Sequence, residues 1–253
     1  MNRLRSLLLL ATLAVAAVAS AADAALDFSA TSNPNGVWSY GSQTTPGGAL
    51  SLLTLQDAGP AYSAYGNQNT LRGWNGSSNE VQNLNYPFVL KNFSSTPWTQ
   101  SNNAGANSGI TVPANGLILH ASRTAFATLR FTAATAGAYS VSGNFFREQF
   151  SGNAYSQRVR VTVGGLSPYD VQLTGNGASS AFNLSSIALA AGGTVDFSVA
   201  SEGPNDTTSN PAFFDGGSMG LNASVNPVPE PTTLAALGLG ALGLLRRRRR
   251  AAK

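Results

Sequence analysis

Residues 157–173 read Gln-Arg-Val-Arg-Val-Thr-Val-Gly-Gly-Leu-Ser-Pro-Tyr-Asp-Val-Gln-Leu, with Val159/Val161/Val163 and Val171/Leu173 alternating with polar residues on either side of Gly164-Gly165. Successive side chains of a strand point to opposite faces, so this period of two describes strands with one buried face. The pattern continues downstream in Phe182/Leu184, Val195/Phe197/Val199 and Met219/Leu221/Val225. It continues upstream in Tyr139/Val141, Ala127/Leu129/Phe131 and Leu117/Leu119. Gly, Asn and Pro turns interrupt it often, and no part of the body shows helical periodicity. An apolar sheet face must be covered, and without helices the cover is a second sheet. The expected fold class is therefore all-β, an antiparallel β-sandwich of jelly-roll type. From Leu26 to Asn115 the chain is less regular, with short apolar pieces at Gly36–Tyr40, Ala49–Leu55 and Phe88–Phe93 between Asn/Gly/Ser/Pro loops.

The two ends have a different character. Arg3 and Arg5 precede an apolar stretch from Leu7 to Ala19, followed by small residues, which is the pattern of a secretory signal. Small-x-small cleavage sites occur at Ala19-Ser20-Ala21, Ala22-Asp23-Ala24 and Asp23-Ala24-Ala25, so the signal is expected within residues 1–25 and the secreted domain over 26–226. At the other end, residues 227–253 contain Pro229-Glu230-Pro231, the apolar run Leu234–Leu245 and the block Arg246, Arg247, Arg248, Arg249 and Arg250. Twelve helical residues span about 18 Å, short of a hydrocarbon core of about 30 Å. The six leucines of the run contribute about 3 kcal/mol toward insertion, whereas each arginine costs about 3 kcal/mol at the bilayer centre. Such a helix holds the chain only briefly, with the arginines on the cytoplasmic side and the body outside.

These three parts, in this order, resemble the PEP-CTERM sorting signal of Gram-negative bacteria. In that resemblance Pro229, Glu230 and Pro231 match the signature triplet, residues 234–245 the helix, and Arg246 to Arg250 the basic stop. The resemblance implies that exosortase, a membrane protease-transpeptidase associated with extracellular polysaccharide production, recognises the tail as a partner and cleaves it near Pro229–Thr233. It implies transient tethering to the inner membrane, then release to the cell surface or extracellular matrix. It does not describe the body. There, Ala133–Val141 and Leu189–Phe197 resemble segments of jelly-roll carbohydrate-binding-type modules, as a turn entering a strand and a late hairpin.

Composition narrows the function further. Eight of the 15 basic residues sit at the two ends, so residues 22–226 keep seven, against ten acidic residues counted from Asp23 and without Glu230. A body charge of about −3 leaves no basic surface for nucleic acid. Charged residues make up 10% of the chain, against about 25% in ordinary soluble proteins, which leaves a neutral polar surface suited to a hydrated matrix. The absence of cysteine excludes disulfides, thiolate metal sites and a Cys nucleophile.

Catalytic signatures are weak. Gly216-Gly217-Ser218-Met219-Gly220 fits G-x-S-x-G, but a nucleophile elbow needs a following helix and a later histidine, and the sole histidine, His120, lies upstream. Gly238–Gly243 fits G-x-G-x-x-G inside the apolar tail, with no β-α-β unit around it. His120 is expected on the strand face opposite Leu117 and Leu119, exposed or at a strand end, and with Ser122 alone it makes no triad. Glu148, Asp170, Asp196, Glu202, Asp206 and Asp215 are carboxylates from which a glycosidase pair could be drawn. The oxygen-rich stretch 202–207 reads better as an Asx/Pro turn than as a calcium loop. No metal and no cofactor is expected.

Aromatic residues carry the one binding chemistry that the sequence suggests. Trp38 and Tyr40 share a strand face, and Trp74 and Trp98 lie in polar loops, where flat rings could stack on sugars; buried packing is the competing role. The expected function is a non-enzymatic exported surface or matrix protein that engages exopolysaccharide. The alternatives are a secreted glycan-cleaving enzyme with a carboxylate pair, and a structural matrix protein without a specific ligand.

Overall fold

The computed structural model describes residues 20–57, 70–76, 87–99, 109–122, 125–147, 149–150, 156–175, 177–202 and 218–229. The leader through residue 19, Glu230, Pro231, the apolar run 234–245 and Arg246 to Arg250 lie outside these residues, as do Glu148, Asp206 and Asp215.

Alternation becomes strands where the sequence reading expects it: β9 (Leu117–His120), β10 (Phe126–Thr132), β11 (Gly137–Arg147), β13 (Ser156–Val163), β14 (Leu166–Thr174), β15 (Ser179–Leu189), β16 (Thr194–Glu202) and β17 (Met219–Pro227). The first part of the chain supplies shorter strands: β1 (Ala22–Asp23), β2 (Trp38–Gln43), β3 (Ser51–Leu52), β4 (Leu55–Asp57), β5 (Leu71–Asn75), β6 (Phe88–Asn92), β7 (Trp98–Thr99) and β8 (Gly109–Val112). A two-residue strand, β12 (Gln149–Phe150), follows β11.

All pairings are antiparallel. One sheet runs β15-β11-β17-β9-β6-β5-β4, with β1 on the same edge of β17 as β9. A second runs β14-β13-β16-β10-β2-β3, and β12-β8-β7 form a small third sheet. From β10 onward the chain crosses repeatedly between the two large sheets, so neighbours in space are distant in sequence: β10 pairs β16, and β11 pairs β17.

Period two decides what faces inward. Ala127, Leu129 and Phe131 of β10, Val159 and Val161 of β13, and Val195, Phe197 and Val199 of β16 meet Leu117, Leu119, Val141, Phe145, Leu221 and Val225 of the facing sheet in one buried cluster. Two apolar faces are thus removed from water together, at about 1.5–3 kcal/mol per large side chain. The two segments 133–141 and 189–197 meet at their turns, where Gly192 donates to the Ala133 carbonyl and Ala133 to the Gly193 carbonyl, both at 2.8 Å. At Gly143 the β11 and β17 backbones approach so closely that a Cβ would lie 2.0 Å from the Asn222 carbonyl oxygen.

The β6–β9 region is covered on both faces. Leu71, Phe88, Leu90, Val112 and Ile118 form a second buried cluster, with Trp98 packed on it. His120 closes β9, the strand end that the sequence reading allowed, but it is not exposed. It does lie opposite Leu117 and Leu119, but that face is covered too, so its ring is 1% exposed and stacks on Phe88 at 4.8 Å.

A cleft roofed by segment 26–31

A cleft of about 420 Å³ is lined by segment 26–31 with Asn35, Arg72 and Phe93. Its wall begins in a turn that Asp23 and Asp27 close between them. The Asp23 carboxylate accepts from the Ala25 and Leu26 amides at 2.9 Å, and the Asp27 carboxylate accepts from the Asp23 amide at 2.9 Å. The Asp27 amide donates back to the Asp23 carbonyl at 2.9 Å. Short acidic side chains favour such local backbone bonds over regular structure, which explains why the strand β1 stops after two residues.

Aromatic residues hold the next part of the wall from below. The Ser29 amide donates to Tyr40 Oη at 2.9 Å, and Trp74 Nε1 donates to the Ser29 carbonyl at 2.7 Å. Trp38 Nε1 reaches the Asp27 carboxylate at 3.4 Å. The Asn35 side chain donates to the Asp27 carbonyl at 2.9 Å, and Gln56 donates to the Ala30 carbonyl. Phe28 turns inward, its ring 4.5 Å from that of Tyr40, while Tyr40 and Trp74 stack with planes 9° apart. Burial pushes the Tyr40 hydroxyl up to about 12; the Ser29 amide works against this and Asp27 adds to it.

The opposite wall comes from β5 and the end of β6. The Arg72 guanidinium lies 4.5 Å from the centre of the Phe93 ring, and the Lys91 ammonium 5.1 Å from it. Lys91 also donates to the Ala25 carbonyl, which ties the two walls together. Burial lowers the Lys91 ammonium from its ordinary range, with Asp23 and Asp27 acting in the opposite sense. The cleft therefore offers a carboxylate, a guanidinium laid on an aromatic ring, hydroxyls at Ser29 and Thr31, and the exposed side chain of Leu26.

The sequence-selected aromatics stand differently from expectation. Trp38 and Tyr40 are fully buried and Trp74 is 7% exposed, so their ring faces are taken by protein and are not stacking platforms. The reason is the parity of the strands: Trp38 and Tyr40 pair with Phe131 and Leu129, on the inner face. Trp98 alone of the four is only partly buried. Phe93 and Arg72 were not singled out from the sequence, because neither sits in a pattern; only the fold brings them together.

Of the carboxylates weighed for catalysis, Asp196 and Asp170 are engaged elsewhere. Asp196 accepts two bonds from Arg130, at 2.6 and 2.8 Å, and one from Gln43 at 2.9 Å. Asp170 meets Arg158 at 2.5 Å and Arg160 at 3.1 Å, and the Arg158 bonds hold its carboxyl below the usual range. The Ser122 hydroxyl accepts from the Ala125 amide in a local turn. Ser218 is buried and leads into the strand β17, where an elbow would require a helix. Among the described residues no three His, Cys, Asp or Glu side chains gather as a metal site.

No curated protein matches this chain. Among solved structures, it is similar to a CBM51 module from Clostridium perfringens GH95 in complex with methyl-galactose, at 13% identity over 55% of this chain and 87% of that one, with a TM-score of 0.32. It is similar to TmCBM61 in complex with beta-1,4-galactotriose, at 12% identity over 70% and 100%, with a TM-score of 0.27. A carbohydrate-binding module CBM36 in complex with calcium and xylotriose matches at 16% identity over 48% and 88%, with a TM-score of 0.27. The family model of the PEP-CTERM protein-sorting motif matches residues 227–250, beginning on the last residue of β17. The tail that follows the sandwich is the PEP-CTERM protein-sorting motif, the mark of an exported protein.

Proposed function

We propose that this chain is a non-enzymatic surface or matrix protein whose jelly-roll-like sandwich binds neutral exopolysaccharide in the cleft under segment 26–31. The leader exports the chain, the short helix 234–245 and Arg246 to Arg250 hold it briefly in the inner membrane, and exosortase cuts near Pro229–Thr233. The observation that carries the binding reading is the pairing of Arg72 and Phe93 opposite Asp27, on a wall held by Tyr40, Trp74 and Trp38. The Arg72 guanidinium, with acceptors at Asp27, Ser29 and Thr31 in the same lining, suits the hydroxyls that a sugar presents at its edge. The polar, sparsely charged composition supports the same ligand class.

The glycosidase alternative needs two carboxyl groups about 5–10 Å apart at one substrate. Among the described residues the cleft has one lining carboxylate, Asp27, and that group accepts bonds from its own wall. The test is retention of the exported protein on the producer's own polysaccharide. Saturable binding that Arg72→Ala weakens supports the proposal. Release of reducing ends favours the enzyme, and no retention at all favours a structural protein without a specific ligand.

A further inference from the structure

The three small-x-small sites differ by only a few residues in sequence, but they are not equivalent in the fold. We propose that the leader is removed at the Ala21–Ala22 bond and that Ala22 is the first residue of the folded protein. This rests on the export reading above.

Ala22 and Asp23 pair with Val225 and Ser224 of β17, and the Ala24 amide extends the ladder to the Ala223 carbonyl at 2.9 Å. Ala22 and Ala24 are buried, 5% and 0% exposed, in the same core as Val225 and Leu221. Asp23 closes the turn into the cleft wall through its amide, its carbonyl and its carboxylate. Hydrolysis after Ala24 or Ala25 would therefore remove β1, leave the Val225 edge of β17 uncovered beyond β9, and release the wall at residues 25–27. Upstream of Ala22 the situation reverses. Ser20 and Ala21 are exposed, and among the described residues the Ser20 hydroxyl donates to its neighbour, the Ala21 carbonyl. The last small-x-small bond that the fold leaves out of its ladder is Ala21–Ala22. Its hydrolysis consumes one water and leaves a carboxylate on Ala21 and an ammonium on Ala22.

The same pairing brings the two ends of the body together. β1 is antiparallel to β17, so Ala22 lies opposite Val225, two residues before the sorting motif begins at Pro227. Leader and tail leave the sandwich from the same end. A chain held at both ends in one membrane can complete this strand pair before either end is cut.

The experiment is N-terminal sequencing and intact-mass measurement of the full chain recovered outside its own cells. The expected mature sequence begins Ala22-Asp23-Ala24-Ala25-Leu26. A start at Ala25 or Leu26 on an exported protein overturns the inference and leaves the export reading intact, whereas Met1 retained on a cytosolic protein defeats both. A second variant guards against trimming by other proteases. Ala21→Gln removes the small residue before the bond, and the Ala22-terminated species is expected to disappear in favour of uncut precursor. Unchanged export with a new start at Ala25 or Leu26 would show that the fold does not need β1, and would overturn the inference.

Discussion

The later part of the chain, from Leu117 to Pro227, and the earlier part, from Ala22 to Val112, build the same sandwich in different ways. The later part makes long strands whose alternate residues enter the core. The earlier part contributes short strands, but all the residues that line the cleft come from it. Regular alternation buries apolar area efficiently and leaves few functional groups over. Irregular backbone must satisfy its amides and carbonyls with side chains, as at Asp23, Asp27, Tyr40 and Trp74, and the same groups then shape a concave surface.

Substitutions can break or sharpen this division, and the largest effects belong to the regular part. Gly143→Val puts a side chain against the Asn222 carbonyl and the Phe182 ring, so β11 and β17 cannot both keep their places. A loss of about 4 kcal/mol or more is expected, read as a collapse of the urea midpoint. Trp38→Ala tests whether a residue of the earlier part belongs energetically to the later one. Its ring packs on Phe131 and Phe197, so a loss of about 3–5 kcal/mol is expected in thermal unfolding. A loss under about 1 kcal/mol would contradict its place in the core.

Tyr40→Phe is a finer probe, because it removes the acceptor for the Ser29 amide while keeping the ring. About 1–2 kcal/mol should be lost, together with weaker polysaccharide retention. The pH dependence has a definite sign. The folded hydroxyl ionises at about 12 and the unfolded one near 10, so the wild type keeps its full stability below pH 10 and loses it as pH rises from 10 to 12. Tyr40→Phe should lack this loss, as alkaline denaturation of the two proteins would show.

On the far face of the six-stranded sheet, Asp170 is held below its ordinary range by Arg158 and Arg160. Its contribution is present above the unfolded value of about 3.9 and fades as pH falls through the depressed folded one. Asp170→Asn should remove that acid-side slope and change stability at neutral pH by less than about 1 kcal/mol, since the pair is partly solvated. The smallest stability effect is expected for Arg72→Ala, within about 0.5 kcal/mol for an exposed side chain. Its polysaccharide retention should nevertheless drop, and unchanged retention would move the binding surface away from the cleft.

How far each part could be read from sequence follows from the same contrast. Val159/Val161 and Val195/Phe197/Val199 each have one inner face, so alternation revealed both the strand and its buried side. Phe88–Asn92 is buried at every position, because the third sheet and its cluster cover the outer face, and a strand covered on both sides shows no period of two. For Trp38 and Tyr40 the shared face was legible; which way it pointed was not. A Trp-x-Tyr strand fits a sugar platform as well as a core until the partner sheet is in place.

The sequence by itself determined the all-β class, the buried face of each later strand, and the motif at residues 227–250. These depend on local order: the pleat repeats every two residues, and the motif is one continuous stretch. Only the tertiary structure decided that Arg72, Phe93 and Asp27 line one cleft and that Ala22 pairs with Val225. Those are contacts between residues distant in the chain, and which of them form is settled when two sheets close over one core.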